Sequence, residues 1–269
     1  MKGTGWIRDL PDVRDFGVGD IPHPPTTTKL LAMGADLAVS RVDLRSTGFL
    51  SPIEDQGNLG SCTAHAVTGI LEYGERQSFG KYLDHSRLFL YRVSRKLYYK
   101  TRGPVAIGDT GSEIRTTIKA LAAIGSPPEW IWPYDETKFD IEPPPDAYAM
   151  AQSYKGLNYI KLTSLAQIKS FLKTKTPVAF GFTCYKSIDN PDVGNTGVIP
   201  TPKSGEPTVG GHAISAVGFD DNKGNVIIRN SWGTSWGDKG YGYLPYWYFD
   251  SNQADDFWVL LKSGWVDLD

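Results

Sequence analysis

At 269 residues the chain is long enough to bury a sizeable core, as one large domain or two small ones. Its 28 Lys and Arg nearly balance 30 Asp and Glu, for a net charge of −2, so no field argues for nucleic acid or an anionic membrane as partner. No apolar run approaches the ~20 residues a membrane span needs, and two cysteines cannot build a disulfide framework. The start, Met1 to Asp9, has no apolar core of a secretory leader, which leaves the compartment undetermined: the cytoplasm, or export by another route. The 18 prolines and 29 glycines indicate a turn-rich globular protein.

In chain order, residues 1–40 read as an N-terminal extension. Asp9 to Phe16 is polar and turn-like, Pro22 to Thr28 reads as extended linker, and Lys29 to Val39 suits a short helix. Residues 41–155 read as mostly helical. Thr63 to Gln77 carries apolar residues at Val67, Ile70 and Leu71, one face of a helix that Gly60-Ser61 opens. Asp84-His85-Ser86 caps a second helix with Leu88, Phe89, Tyr91, Val93 and Leu97 on its apolar face. Gly111-Ser112-Glu113 opens a third, with Ile114, Ile118 and Leu121, closing at Gly125. From residue 156 to 269 the pattern turns to strands: 177–183, 210–219, 225–231, 241–246 and 257–261, with one short helix behind the capping box Ser164 to Gln167. A helical half and an antiparallel β half imply an α+β fold with a cleft between them.

Cys62 falls in the first turn of the first helix, where unpaired N–H groups and the helix dipole favour a thiolate. A lone cysteine is more often a small buried hydrophobe, so the assignment needs a base. His212 enters an apolar run behind Gly210-Gly211, and Asn230 follows the run Ile227-Ile228-Arg229. The order Cys, His, Asn suits a constellation assembled in space rather than along the chain.

Four blocks resemble the papain-like cysteine peptidases, from about residue 42 to about 260. They are Val42-Asp43-Leu44-Arg45 through Pro52 to Gly57, then Gly60-Ser61-Cys62, Gly211-His212-Ala213, and Asn230 to Gly237 with Gly240-Tyr241-Gly242. The resemblance implies a two-lobed fold, with a helical left lobe (41–155), an antiparallel β-barrel-like right lobe (156–269) and the active site between. It implies Cys62 as nucleophile, His212 as base and then acid, Asn230 as orienter of the imidazole, and Gln56 as oxyanion donor beside the Cys62 N–H. No metal or organic cofactor is called for, and the expected partners are peptide or protein substrates, met by a monomer. Residues 1–40 are much shorter than the family's helical prodomain and read either as a short inhibitory propeptide in the cleft or as a structural arm.

Substrate contacts follow by the same resemblance. Gly111 and Ser112 are candidates for holding the substrate backbone. The 178–182 strand with Gly210 and Gly211 should line a pocket of open shape for a hydrophobic side chain. Trp232 should shield the Asn230–His212 contact, with Trp236 near the leaving-group side. His65, three residues after Cys62, reads as a buried histidine in an aromatic's place, Cys184 as a structural cysteine, and Asp189 to Asp192 as a turn rather than a calcium loop. Two other functions would use the same residues: a silent binding module, and acyl transfer to an amine.

Overall fold

The apolar period behind Cys62 forms α1 (Cys62–Phe79), in which every residue from Cys62 to Glu75 is buried. A helix covered on all sides belongs to the centre of a fold rather than its surface. It stops at Gly80, whose φ of +70° is a conformation glycine adopts without strain, and whose N–H returns to Arg76 O at 2.9 Å. In this computed structural model, residues 3–18, 29, 31–35, 37–102, 108–154 and 158–261 are described. The proposed linker Pro22 to Thr28 lies outside them, and of the helix expected over 29–39, residues 29 and 31–35 are helical.

α2 (Arg87–Arg102) and α3 (Ile114–Ile124) pack against α1 as the periodicity predicts. Ser86 Oγ accepts the Phe89 N–H at 3.1 Å, the expected cap. A fourth helix, α4 (Pro145–Ala151), was not singled out in the sequence; Pro145, the last of three consecutive prolines, takes the first helical position, where its missing N–H costs nothing. Ser61 departs from expectation as well. Its hydroxyl makes no cap and pairs with Tyr134 Oη at 2.6 Å.

The second half is one antiparallel sheet in the order β2-β7-β3-β4-β5-β6, with β1 (Arg41–Asp43) on the far end of β4. The strands are β2 (Asn158–Leu162), β3 (Val178–Tyr185), β4 (Thr208–Asp220), β5 (Asn225–Arg229), β6 (Tyr241–Pro245) and β7 (Ala254–Leu261). The sheet is open, with β2 and β6 as its edges, so the barrel-like right lobe does not close. Ser164 accepts the Gln167 N–H at 3.3 Å to start α5 (Leu165–Lys173), while Gln167 reaches back to Thr163 N at 2.8 Å. Two apolar cores result. One, around Phe171, Phe180, Phe219 and Tyr248, fills the sheet side; the other, around Val67, Leu71, Phe89 and Leu121, fills the helical side. Ala179, Ala213 and Trp258 reach from the sheet into the helical core, so α1 and β4 form the seam between them.

Candidate active site

The seam brings His212, Asn230 and Trp232 into contact and packs α1, which carries Cys62, against the strand that carries His212. Cys62 opens α1, and the backbone N–H of Ala213, the residue after His212, faces its sulfur. His212 sits on β4 opposite Phe182, stacked on Trp232 at 4.5 Å between ring centroids. Its Nε2 lies 2.8 Å from Asn230 Oδ1, which also accepts the Ser231 N–H at 2.8 Å. An amide oxygen accepts only, so Nε2 carries the proton and Nδ1 is left as the basic nitrogen. That Nδ1 is buried and has no hydrogen-bond partner among the described residues. Trp236 meets Trp232 edge-on at 5.4 Å.

Gln56 is fully buried and its amide is held one way round. Ser231 Oγ donates to Oε1 at 2.5 Å, which turns Nε2 toward the cleft, where it donates to Leu59 O at 2.7 Å. Tyr134 Oη donates to Gln56 O at 2.9 Å and accepts from the Ser61 hydroxyl, tying both ends of the turn before Cys62.

The N-terminal segment lies across this site. Trp6 N–H donates to Gly211 O at 3.0 Å on the sheet side. On the helical side Ser112 N–H donates to Gly5 O at 2.9 Å, and Ile7 N–H to Ser112 O at 3.0 Å. Ser112 therefore supplies the polar groups. Gly111 supplies space, since a Cβ there would stand 2.1 Å from Gly5 O. Gly210 and Gly211 do the same opposite, with Cβ positions 2.5 Å from Thr4 Oγ1 and 2.7 Å from Trp6 O. Gln56 Nε2 reaches Gly3 O at 3.1 Å, and the Gly5 N–H faces the Cys62 sulfur.

Trp6 anchors the segment. Its ring lies where a Cβ on Gly181 would be, 2.0 Å from Trp6 Cε2, and its indole N–H donates to Asp256 Oδ2 at 3.0 Å. Asp256 Oδ2 also accepts the Asp9 N–H at 2.8 Å, and Asp9 Oδ2 accepts from Trp258 Nε1 at 3.0 Å. Arg115 Nε stands 2.9 Å from Asp15 and 3.8 Å from Asp9. Nothing in the local sequence announced this anchor. The available signals were a lone tryptophan behind Gly3-Thr4-Gly5 and an aspartate pair inside the apolar strand β7.

Burial sets the electrostatics. Cys62 and His212 are both fully covered. Loss of solvent pushes the thiol up to about 11, against the pull of the Ala213 and Gly5 N–H groups. The same cause takes the imidazole down to about 4, against the Asn230 contact. The low thiol pKa expected from the helix start is thus reversed, because desolvation outweighs the dipole while the segment is docked. Asp9 and Asp256 are raised by burial, Asp9 further by the repulsion of Asp256. His65 is pushed down to about 3 by burial, and its Nδ1 lies 3.1 Å from Ser61 O, a packed histidine rather than a base. Cys184 is buried on β3 with its thiol raised by desolvation. Asn190 caps the short helix Pro191–Thr196 by accepting the Asp192 N–H at 3.0 Å, which gives the 189–192 stretch a structural task.

Residues 38–247 match the model of the papain family cysteine proteases. An uncharacterised peptidase C1-like protein of Acanthamoeba polyphaga mimivirus is 36% identical over 96% of this chain and 86% of its own. The thiol protease aleurain of Arabidopsis thaliana is 31% identical over 74% of this chain, which spans 53% of aleurain. The crystal structure of xylellain, a cysteine protease from Xylella fastidiosa, superposes with a TM-score of 0.79 at 33% identity, covering 96% of both chains.

Proposed function

The chain belongs to the papain family of cysteine proteases, and on that premise we propose that it is an endopeptidase acting through Cys62, His212, Asn230 and Gln56, held latent by its own residues 3–9. The observation that carries the reading is the Asn230 contact on Nε2, which leaves His212 Nδ1 as the basic nitrogen, one residue from Ala213, whose N–H faces the Cys62 sulfur. With the cleft open, the Cys62 proton passes to Nδ1 and the thiolate attacks a peptide carbonyl. The developing oxyanion is met by Gln56 Nε2 and the Cys62 N–H, a pair of donors already oriented by Ser231 and by the turn. His212 then protonates the leaving amine, and water, deprotonated by the same imidazole, releases the acid from the thioester.

Latency rests on a mismatch of groups. In productive binding the carbonyl under attack is also the one held by Gln56. Here Gln56 holds Gly3 O while the N–H turned to the sulfur is that of Gly5, two residues on, a register that differs from that of a substrate under attack. The docked segment also keeps thiol and imidazole neutral by excluding water. The alignments to the mimivirus protein and to xylellain cover 96% of the chain, so most of residues 1–40 falls inside them.

The test is turnover of a peptide library by the full chain, by Gly5→Val with Trp6→Ala, and by Cys62→Ala. A Cβ at Gly5 would stand 1.9 Å from Gly60 O, so the double variant cannot dock. It should cleave faster than the parent, and Cys62→Ala should not cleave or take up an epoxysuccinyl label. Unchanged turnover by Cys62→Ala removes the mechanism; equal turnover by the parent and the double variant removes the latency.

A further inference from the structure

The turn before Cys62 and the rim at Gly111-Ser112 come from distant parts of the chain, and no disulfide joins them, since both cysteines are free. A carboxylate and a phenol join them instead. Asp109 accepts the Gly60 N–H on both oxygens, at 3.0 and 2.8 Å. Its Oδ1 also accepts the Tyr91 hydroxyl. The Tyr91 oxygen in turn accepts the Gly111 N–H at 3.0 Å. Every donor in this chain of four groups meets an acceptor.

The bridge is anchored from below. Tyr91 is fully buried on α2, and the Arg95 guanidinium lies 4.4 Å from its ring centroid. Arg95 donates to Gly108 O at 2.6 Å, and Asp140 accepts the Gly108 N–H at 2.9 Å. The residue before Asp109 is thereby fixed at both backbone polar groups.

We propose that Asp109, working through Tyr91, is a positioning residue for catalysis that locks the nucleophile turn to the substrate-binding rim. This rests on the peptidase reading above. Gly60 stands two residues before Cys62, so freedom at Gly60 passes to the Cys62 N–H and to the aim of the sulfur. Gly111 precedes Ser112, whose N–H and C=O hold the segment backbone, so freedom there loosens substrate binding. Asp109 holds the nucleophile turn directly and the rim through Tyr91, whereas the Tyr91 hydroxyl holds the Gly111 N–H and leaves the Asp109–Gly60 bonds in place when removed, so the two should separate kinetically. Asp109 is exposed, so water competes for its carboxylate and the effect stays moderate.

The experiment uses the full-length chain carrying Gly5→Val and Trp6→Ala, with active sites titrated by an epoxysuccinyl inhibitor. Asp109→Ala should lower kcat about tenfold and also raise KM. Tyr91→Phe should raise KM about fivefold with kcat within about twofold. Asp109→Asn keeps an oxygen for both donors and should recover most of the loss. Variants matching the parent in kcat and KM would overturn the proposal. So would equal losses from Asp109→Ala and Tyr91→Phe that Asp109→Asn does not recover. Failure of the peptidase reading looks different: Cys62→Ala in the same background would keep its turnover. If the undocked background does not fold, amide exchange in the otherwise native chain decides. Gly60 should exchange faster in Asp109→Ala alone and Gly111 in both variants, and unchanged exchange at both sites overturns the proposal.

Discussion

Removing the anchor of the N-terminal segment should release the nucleophile by a calculable amount. Trp6 is 9% exposed and sits between Gly181 and Gly211 with its indole N–H on Asp256. Truncating a buried tryptophan to alanine costs ~3–5 kcal/mol. The lower end suits Trp6→Ala, because Asp256 Oδ2 retains the Asp9 N–H and is not left unpaired. At about 1.4 kcal/mol per tenfold, ~3 kcal/mol shifts the docked-to-open ratio by about 10². The assay is the rate of Cys62 alkylation by iodoacetamide, read by mass spectrometry. The thiol is covered and protonated when docked, so only the open fraction reacts. Alkylation should speed up by about 10² until the chain is wholly open. Arg8→Ala is the milder comparison, since its exposed contacts, an ion pair to Asp255 at 3.6 Å, a hydrogen bond to Asn252 O at 2.9 Å and a guanidinium 5.5 Å from the Trp6 ring centroid, are each worth ~1 kcal/mol or less. Equal rates for Trp6→Ala, Arg8→Ala and the parent would mean that docking does not govern access to the sulfur.

Gln56→Ala removes one oxyanion donor and should lower kcat ~10²–10³ with little change in KM; a purely KM effect in steady-state kinetics would take the donor role away. Latency should weaken as pH rises. Burial raises Asp9 and Asp256, so docking carries an extra proton, gains most below the ordinary carboxylate range and loses that gain as pH climbs through the raised values. Arg115 at 3.8 Å and Lys161 at 3.7 Å temper this without reversing it. The activity ratio of the full chain to its undocked variant should therefore rise between about pH 4 and 8, and Asp256→Asn should flatten it; an unflattened profile points to other groups. Gly181→Ala puts a methyl 2.0 Å from Trp6 Cε2, so it should both relieve latency and turn cleavage preference away from large aromatic side chains. Relief of latency with aromatic preference intact, in a peptide-library profile, would show that Trp6 and substrate use different pockets.

The helical period made α1 legible almost to its ends, and with it the place of Cys62, because burial all round that helix left a long unbroken pattern. The strands behind His212 and Asn230 were legible for a similar reason. β7 was read three residues short, from 257 rather than Ala254. Asp255 and Asp256 look like a strand's end, yet Asp256 bends inward at a φ of +55° to hold two donors. Docking in the cleft was one of two readings of residues 1–40, but the anchor and the register of residues 3–9 were not legible. Trp6 meets its partner 250 residues away, and no local pattern in Gly3-Thr4-Gly5 encodes a contact made only in three dimensions. The pKa of Cys62 was misjudged on the same ground, since the helix start was visible in the sequence and the cover over it was not.

The cover and the cleft fit each other through missing side chains. Gly5, Gly111, Gly181 and Gly211 each lack the one atom that would collide with the opposing chain, at 1.9, 2.1, 2.0 and 2.7 Å. Three of the four belong to the enzyme body and one to the segment, so the fit is mutual. A peptide substrate running between Ser112 and Gly211 must use the same clearances. On the proposed reading the segment and the substrate compete for one surface, and a body residue that tightens the grip on one tightens it on the other. Selection for strong latency and for efficient turnover then pulls in opposite directions at these glycines. The segment escapes that conflict through groups of its own: Asp9, Asp12 and Asp15 engage Arg115 and Lys119 outside the catalytic centre. Affinity drawn from those contacts can be set without altering how the cleft receives a peptide.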